Sequence, residues 1–429
     1  MPFPPLERCR IAVIGLGYVG LPLAVAFGAR YDTVGYDVDP ERIRALEDGT
    51  DATGEIEPKA LRAAERLSFT ADAADLASCN VYVIAVPTPI DIHRQPDLHH
   101  LREASDMVGG LISDGDVVIF ESTVYPGATE DDCIPLVEAR SGLRLNKGFF
   151  AGYSPERINP GDRTRPLTKI VKVTSGSTPE AADFVDALYA SVIEAGTHKA
   201  SSIKVAEAAK IIENTQRDVN IALINELSVL FSHLEIDTTE VLDAAATKWN
   251  FNRLSPGLVG GHCIGVDPYY LVHKSMAAGH IPDIIRLSRE INDGMARHAV
   301  TRLVKAMIRK GLRIGGARVL VLGLTFKENC ADLRNTKVVD LIASLESYGM
   351  SCDIHDPAVS QQEAADITGH VLLPEVPGDG ADYDAVILAV AHDALTGLGV
   401  QRLTAGMRPD GVFFDMKAAF DIAQSDLRL

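Results

Sequence analysis

The sequence has few basic residues for its length of 429, a single tryptophan and no long hydrophobic run. Lysine and arginine number 41 against 59 aspartates and glutamates, so the formal net charge is −18. Such a deficit of positive charge disfavours nucleic acid and anionic membranes as partners. No apolar stretch approaches the ~18 residues of a membrane-spanning helix, and the first residues lack a signal-peptide pattern. These absences predict a cytoplasmic protein with neither a nucleic-acid nor a membrane partner.

Cysteine is also scarce, and its spacing excludes two common uses. The six cysteines include no C-x-x-C pair, which disfavours a metal site, and a disulfide framework is unusual in so long a chain. We therefore predict no metal, and inert packing roles for five of the thiols. The sixth, Cys263, lies in the glycine-rich run GLVGGHCIGVD (257–267). At this point a packed core thiol and a reactive nucleophile both fit Cys263.

Two parts of the chain repeat one order of apolar runs. The runs are RIAVIG (10–15), DTVGYDVDP (32–40) and NVYVIAVPTP (80–89), then ARVLVLGLTFKEN (317–329), SCDIHDP (351–357) and YDAVILAVAHD (383–393). Buried strands that alternate with helical patterns are typical of doubly wound parallel sheets. The sequence therefore predicts an α/β fold with two Rossmann-like domains.

The segment between the two repeats has a different pattern. Residues 202–234 contain no proline or glycine and keep helical periodicity, with apolar residues on more than one side. Such a helix would be ~50 Å long and suits a spine or a dimer interface. We predict an N-terminal α/β domain (1–199), a central helical and dimerisation domain (200–305) and a C-terminal α/β domain (306–429).

The first repeat contains a dinucleotide-binding fingerprint. Gly15, Gly17 and Gly20 have the G-x-G-x-x-G spacing between a predicted strand and a predicted helix. Asp37, 22 residues after Gly15, is placed to accept hydrogen bonds from the ribose hydroxyls and to repel a 2′-phosphate. The sequence predicts NAD rather than NADP as cofactor, and Arg42 weakens that preference slightly.

The second repeat lacks the fingerprint, because LTFKENCADLR comes after Gly323 without the second and third glycines. A dinucleotide has no close approach there. Lys327 and Arg334 place two cations beyond a strand end, where α/β sheets bind ligands. These cations indicate either an anionic nucleotide of another kind or two solvated surface groups.

A nicotinamide cofactor gives a cysteine nucleophile a specific use. A thiol adds to an aldehyde, the adduct is oxidised to a thioester, and water releases an acid. Gly260 and Gly261 would let a substrate reach Cys263. Lys210 and Asn214 lie one helical turn apart and supply a cation and an amide for an oxyanion, although a solvated polar stripe is the alternative.

Seven motifs in order resemble one known family over residues 10 to about 420. The motifs are GxGYVG, PTP, EST, SPE, EAAK-x3-N, GGHC-x3-D and GLTFK-x6-R. They resemble the nucleotide-sugar 6-dehydrogenases, relatives of UDP-glucose dehydrogenase in the UDP-glucose/GDP-mannose dehydrogenase family. The resemblance implies oxidation of a sugar C6 alcohol to a carboxylate with two NAD⁺. It also implies a homodimer, with NAD bound by the first domain and a UDP-sugar by the last.

The resemblance assigns roles motif by motif. Its catalytic group comprises the nucleophile Cys263, the oxyanion stabilisers Lys210 and Asn214, the acid/base Asp267, the general base Glu156 and the water-positioning Thr123. Its cofactor group comprises Gly15, Gly17, Tyr18, Val19, Gly20, Asp37, Arg42, Pro87, Thr88, Thr123 and Arg334. Its substrate group comprises Glu156, Arg157, Lys210, Asn214, Arg253, Gly260 and Lys327.

The residues of several motifs resemble those of the UDP-N-acetylhexosamine branch of this family. Enzymes of that branch make UDP-N-acetylglucosaminuronic or galactosaminuronic acid for surface polysaccharides. Arg157 and Asn159 are candidates for binding the N-acetyl group, with a turn role as the alternative. Lys417 stands where many members have an arginine and keeps the charge without bidentate geometry. UDP-N-acetylmannosamine and UDP-glucose remain alternative substrates. A β-hydroxyacid dehydrogenase and a non-enzymatic NAD-binding protein are the competing classes.

Overall fold

The computed structural model describes residues 3–158 and 165–429, which form two compact units. The first contains the chain up to Glu213 together with Tyr269–His280. The second contains Asn214–Pro268 and Ile281–Leu429. Each unit is built on its own largely parallel sheet with helices, so the predicted α/β fold with two sheets is confirmed.

The first unit has an eight-stranded sheet. Its strands are β1 (Arg10–Ile14), β2 (Asp32–Tyr36), β3 (Leu67–Thr70), β4 (Val81–Ile84), β5 (Asp116–Phe120), β6 (Phe149–Tyr153), β7 (Lys172–Gly176) and β8 (Thr197–Lys199). Their spatial order is β3-β2-β1-β4-β5-β6-β7-β8, and β6 and β7 are the one antiparallel pair among the described strands. Every residue of β4, β5 and β6 is buried, as expected for parallel strands covered on both faces.

Helices follow most of these strands. They are α1 (Gly20–Gly28), α2 (Pro40–Glu47), α3 (Pro58–Ala63), α4 (His99–Gly109), α5 (Ile134–Ser141) and α6 (Pro179–Ala190). Short 3₁₀ or π turns lie at Leu6–Arg8, Ala73–Ser78, Thr129–Cys133 and Leu167–Lys169. The side chains of Asp39 and Thr178 cap α2 and α6, each with a proline at the first helical position.

The second unit has a five-stranded parallel sheet. Its strands are β9 (Arg318–Leu322), β10 (Ser351–His355), β11 (Tyr383–Leu388), β12 (Met407–Asp415) and β13 (Leu427–Arg428), in the order β10-β9-β11-β12-β13. Val319 and Val321 pack into the core on one face of β9, and Leu320 and Leu322 pack on the other. The associated short helices are α11 (Val338–Ser347), α12 (Gln361–Thr368), α13 (Asp393–Thr396) and α14 (Gly399–Leu403), with a 3₁₀ turn at Ile422–Gln424.

Four more helices lie between the two sheets in sequence. They are α7 (Ile203–Leu234), α8 (Thr238–Ala246), α9 (Asp267–Ala277) and α10 (Asp283–Arg309). Helix α7 agrees with the long helix predicted over 202–234, and it contributes residues to both units. It also exposes large apolar side chains, at Val205, Ile212, Leu223, Leu230 and Leu234. No described helix is long and apolar enough to cross a membrane.

The two predicted repeats share individual backbone hydrogen bonds as well as their order of strands. Gly15 after β1 has φ +90°, and its N–H donates to the Tyr36 carbonyl at 2.9 Å. Gly323 after β9 has φ +89°, and its N–H donates to the His355 carbonyl at 2.8 Å. Both glycines are required, because L side chains rarely adopt this backbone conformation.

Most of the cysteines are buried in the protein, in agreement with the packing roles that their spacing predicted. All six are free thiols, and Cys9, Cys79, Cys133 and Cys330 are buried. Burial raises the pKa of Cys79 to about 11 and that of Cys9, Cys133 and Cys352 to about 12. Thiols with such pKa values carry almost no thiolate at neutral pH and are poor nucleophiles.

Candidate active site

The glycine-rich loop after β1 combines two structural glycines with one that leaves space. A Cβ on Gly15 would lie 2.9 Å from the Ala85 carbonyl oxygen, and one on Gly20 would lie 1.8 Å from the Gly15 oxygen. A Cβ on Gly17 would have no atom within 4 Å. Gly17 is exposed just before α1, whose free amides suit a pyrophosphate. This open approach at Gly17 fits a dinucleotide.

Asp37 is fixed at the end of β2 by the backbone around it. Its Oδ2 accepts the Leu16 N–H at 2.8 Å, and its Oδ1 accepts the Asp39 N–H at 3.0 Å. The side chain stays half-buried, so it has a defined position next to the glycine-rich loop. A carboxylate in this position has lone pairs that suit ribose hydroxyls, and the ribose contact of Asp37 stays a prediction.

Arg42 has contacts other than the predicted one. Its guanidinium donates to the Leu16 carbonyl at 2.8 and 3.1 Å and pairs with Asp51 at 2.8 Å. Only 11% of the side chain is exposed. Arg42 therefore braces the loop from within, where the sequence suggested a weak influence on the choice between NAD and NADP.

The PTP loop, residues 87–89, is anchored on both sides. The Thr88 hydroxyl donates to the Thr123 carbonyl at 2.7 Å, which joins this loop to the EST loop after β5. The Tyr270 hydroxyl donates to the carbonyls of Thr88 and Pro89 at 2.8 and 3.0 Å. Pro87 is exposed, whereas Tyr18 and Val19 in the glycine-rich loop are half-buried.

A buried ion pair fixes the loops that carry Thr123 and Glu156. Lys172 on β7 pairs with Glu121 at 2.5 Å and donates to the Pro155 carbonyl at 2.8 Å. Burial raises the pKa of Glu121, and the Lys172 ammonium opposes that rise. Glu121 opens the EST motif and Pro155 precedes Glu156, so one cation holds both motifs. The lysine within the apolar run KIVKV is the signal in the sequence that could have revealed this pair.

Helix α7 holds a third loop and carries two candidate residues. Glu207 accepts the N–H groups of Gly127 and Thr129 at 2.5 and 3.0 Å. Lys210, one turn further, is buried with 5% of its surface exposed. Burial argues against the solvated polar stripe that was the alternative for Lys210.

The substrate candidates after β6 are partly committed to other contacts. Glu156 is buried, with 3% of its surface exposed. Arg157 pairs with Glu213 at 2.7 Å and donates to the Val171 carbonyl at 2.8 Å. These contacts tie the Arg157 guanidinium to α7 and to the chain just before β7. Asn159 lies outside the described residues.

In the second unit, the cysteine loop and α7 bring three candidates close together. The Cys263 thiol is half-buried in the turn before α9, and the Asp267 N–H donates to the Cys263 carbonyl at 2.8 Å. Asp267 is the first residue of α9, and its Oδ2 accepts the Asn214 amide N–H at 2.6 Å. The Asp267 carboxylate therefore orients the amide that the sequence assigns to oxyanion binding.

The glycines before Cys263 have a packing role that the sequence did not predict. A Cβ on Gly260 would lie 2.6 Å from the Asn335 carbonyl oxygen. Gly261 has φ +83°, and its Cβ would lie 2.9 Å from the Phe326 ring. That these glycines let a substrate reach Cys263 stays a prediction. They let the cysteine loop pack tightly against the loop after β9.

This packing leaves a small recess within the second unit. The residues lining the recess include Gly260, Phe326, Glu328, Lys337 and Lys417. Lys417 pairs with Glu328 at 2.7 Å. Burial alone would raise the pKa of Glu328, but Lys417 lowers it overall. Lys417 thus has a carboxylate partner in the recess.

The remaining predicted cations occupy different surroundings in the second unit. Lys327 is half-buried in the loop between Phe326 and Glu328. Arg334 makes a fork-shaped contact with Asp332, with distances from 2.7 to 3.1 Å. Arg253 pairs with Asp243 at 2.5 Å. The described residues contain no cluster of side chains able to hold a metal ion.

Comparison with known proteins gives matches over almost the whole chain. Residues 9–193, 204–294 and 320–422 match the NAD binding, central and UDP binding domains of the UDP-glucose/GDP-mannose dehydrogenase family. UDP-N-acetyl-D-glucosamine 6-dehydrogenase of Pseudomonas aeruginosa is 56% identical, covering 99% of this chain and 100% of the relative. The Salmonella typhi enzyme of the same name is 50% identical, with 99% of each covered. The structure of a UDP-D-ManNAc dehydrogenase from Pyrococcus horikoshii superimposes with a TM-score of 0.87, at 31% identity and 98% coverage of both chains.

Proposed function

Because the chain belongs to the UDP-glucose/GDP-mannose dehydrogenase family and uses NAD, we propose that it oxidises the C6 hydroxyl of UDP-N-acetylglucosamine to a carboxylate. The observation that carries this choice is its full-length similarity to two UDP-N-acetyl-D-glucosamine 6-dehydrogenases. UDP-N-acetylgalactosamine is included in the proposal as a second hexosamine substrate. UDP-N-acetylmannosamine is the alternative, supported by the Pyrococcus horikoshii structure.

The first unit supplies the groups that hold the cofactor. The open side of Gly17 and the start of α1 suit the pyrophosphate, and Asp37 suits the ribose hydroxyls. Tyr18 and Val19 follow Gly17 directly, and Pro87 and Thr88 lie in the loop after β4. All four stay in the proposal, as does a cofactor contact from Arg334. NAD, when bound, accepts a hydride in each of the two oxidations.

Cys263 provides the covalent chemistry of the second oxidation. Its thiolate adds to the C6 aldehyde to give a thiohemiacetal, which is oxidised to a thioester and then hydrolysed to the acid. Lys210 and Asn214 stabilise the oxyanions, with the Asn214 amide oriented by Asp267. Asp267 also serves as acid and base. Glu156 and Thr123 activate and place the hydrolytic water, and the Lys172–Glu121 pair fixes their loops.

The substrate contacts follow from charge. Lys327 binds the diphosphate, with Arg253 as a second cation, while Arg157 and Gly260 contact the sugar nucleotide. A cation near the diphosphate is needed because the protein as a whole carries a charge of −18. Lys417 offsets the negative charge of its partner Glu328 in the recess and is not assigned a phosphate contact.

The domain bounds, the oligomeric state, the compartment and the pathway belong to the same proposal. The domain bounds at 199 and 305 are retained, with the NAD-binding domain first and the UDP-sugar-binding domain last. The apolar residues exposed along α7 support a homodimer in which they are covered. The six free thiols support a reducing compartment, the cytoplasm, and the acidic product suits surface polysaccharide synthesis.

Reaction stoichiometry tests this proposal directly. Purified protein is mixed with NAD and one of UDP-N-acetylglucosamine, UDP-N-acetylgalactosamine, UDP-N-acetylmannosamine or UDP-glucose, and NADH and sugar acid are counted. We expect two NADH per acid, with UDP-N-acetylglucosamine fastest. One NADH per substrate would indicate a two-electron oxidation, the reaction type of the competing β-hydroxyacid dehydrogenases. No NADH with any sugar would indicate an NAD-binding protein without this activity.

A further inference from the structure

The half-buried Cys263 has the imidazole of His262 beside it, and the sequence analysis gave this histidine no role. The His262 Nδ1 atom lies 3.0 Å from the Cys263 sulfur. The other ring nitrogen, Nε2, lies 3.6 Å from Oδ2 of Asp332. A thiol, an imidazole and a carboxylate thus lie in a row within the second unit.

The carboxylate in this row is held in its ionised form. The Arg334 guanidinium donates to both oxygens of Asp332, at distances between 2.7 and 3.1 Å. Burial alone would raise the pKa of Asp332, but these hydrogen bonds and the nearby His262 lower it overall. An ionised carboxylate on the Nε2 side favours the tautomer with its hydrogen on Nε2. The Nδ1 lone pair then faces the thiol.

The surrounding packing keeps the imidazole in this orientation. The ring of Phe326 lies edge-on to the His262 ring, with centroids 6.3 Å apart. Gly261 packs closely against the same Phe326 ring, so the backbone before His262 has little room to move. The charged or titratable groups that face His262 include Cys263 and Asp332, the latter neutralised in part by Arg334.

We propose that His262 is a further catalytic residue, which takes the proton of the Cys263 thiol and is oriented by Asp332. The inference rests on the proposed function for its substrate, but the proton transfer itself depends only on this geometry. Arg334 then acts through Asp332 as a positioning residue, in addition to any contact with the cofactor.

The proposed step conserves atoms and charge. The thiol proton moves from the sulfur to Nδ1, which leaves a thiolate beside an imidazolium. The thiolate electron pair forms the carbon–sulfur bond to the C6 aldehyde, and the carbonyl π pair moves to oxygen. After oxidation by the family's cofactor, hydrolysis of the thioester releases the carboxylate and returns the thiolate to the imidazolium.

Alkylation of Cys263 measures the proton transfer without sugar or cofactor. Iodoacetamide reacts with the thiolate, so its rate at Cys263 is followed by peptide mass spectrometry over a range of roughly pH 5 to 10. His262→Asn keeps a polar atom near the sulfur and removes the base. We expect its reactivity profile to shift upward by ~1 pH unit or more, with about tenfold slower alkylation at neutral pH. Asp332→Asn should give a smaller shift in the same direction.

Matched variants separate this effect from a loss of structure. His280→Gln changes an exposed histidine of the first unit and should leave the profile unchanged. Thermal unfolding is recorded for every variant, and Asp332→Asn carries the test if His262→Asn fails to fold. Superimposable profiles for the folded variants and the unmodified protein would overturn the proposal. An upward shift combined with no turnover of any UDP-sugar would overturn the proposed function alone.

Discussion

The loops after β1 and β9 begin with the same turn and differ in the side chains beyond it. In each loop, the first residue is a glycine with positive φ. The N–H of the residue after it, Leu16 or Leu324, donates to an aspartate at the end of the neighbouring strand. That aspartate is Asp37 in the first unit, where it is half-buried. In the second unit it is Asp356, which accepts the N–H groups of Leu324 and Thr325 at 2.6 and 3.0 Å and contacts His392 at 3.2 Å.

The comparison shows how one backbone design gives two uses. Asp356 is completely buried and satisfied by protein groups, so it stabilises its own loop. Asp37 is only half-buried, and Gly17 leaves open the space that Thr325 fills at the corresponding position. The two loops therefore share one backbone turn and differ in side chains, and under the proposed function this difference allows NAD to bind in the first unit.

Cys263→Ser should have the largest effect, because it removes chemistry that only the second unit supplies. We expect acid formation to fall by about a thousandfold or more, since a serine hydroxyl lacks the nucleophilicity of a thiolate. NAD affinity, assigned to the first unit, should stay the same by calorimetry. Cys352→Ser, at the other half-buried thiol, is the control and should keep full activity. Full turnover by the Cys263 variant would make that residue an inert thiol.

Gly17→Ala should weaken NAD binding by the loop after β1 without changing stability. The new Cβ meets no protein atom within 4 Å, so the melting temperature should not change. It would stand where the pyrophosphate approaches the backbone, and losing two charge-assisted hydrogen bonds weakens NAD about a hundredfold or more. Gly323→Ala is the matched change in the second unit. Its Cβ would lie 2.5 Å from the Val390 side chain, so it should lower stability instead. Equal NAD affinity in Gly17→Ala and unmodified protein would contradict this prediction.

Lys327→Ala should weaken binding to the second unit selectively. Loss of a charge-assisted contact to phosphate costs about 1.5–3 kcal/mol, which corresponds to roughly ten- to a hundredfold in UDP affinity. NAD affinity and the melting temperature should change little. Lys305→Ala, at an exposed lysine of α10, provides the control. Unchanged UDP binding in calorimetric titrations would show that the loop after β9 binds another ligand or none.

Asp356→Asn should reduce stability and leave NAD binding alone. Hydrogen bonds from His392 and the backbone lower the pKa of Asp356 despite its burial. A lowered carboxyl pKa contributes stability that is complete above the unfolded value of ~3.9 and is lost as pH falls through the folded value. We expect a loss of about 1–3 kcal/mol at neutral pH in urea unfolding, narrowing at acid pH. A loss that is constant across pH would contradict the assigned cause.

Asp37→Ser should have the smallest effect, a change of cofactor preference. Removal of the carboxylate ends its repulsion of a 2′-phosphate, so the ratio of kcat/KM for NAD to that for NADP should fall by about tenfold. Asp39→Ser, at the exposed N-cap of α2, tests whether any lost charge nearby does the same. Equal kcat/KM for the two cofactors in the unmodified protein would refute the prediction outright.

Local pattern predicted most of the fold, whereas the roles of the site residues come mainly from the family resemblance and stay predictions. The strands and the long α7 follow from apolar runs and from the absence of helix breakers. Contacts between distant positions were not predictable. Lys172 and Glu121 are 51 residues apart, and only the order of strands in the sheet brings them together. The packing of Gly260 against Asn335 likewise depends on tertiary structure.

The buried pair of Lys172 and Glu121 limits how this protein can change by descent. Either substitution alone leaves an uncompensated buried charge, at a cost of about 3–5 kcal/mol, whereas replacement of both by apolar residues of similar volume is often neutral. Stepwise replacement of the pair must therefore pass through an unstable single mutant, and it also removes the Lys172 contact with the Pro155 carbonyl that joins the EST and SPE loops. Single substitutions in this pair are therefore costly whatever stability the pair itself adds, because the cost reflects the unpaired charge that is left behind.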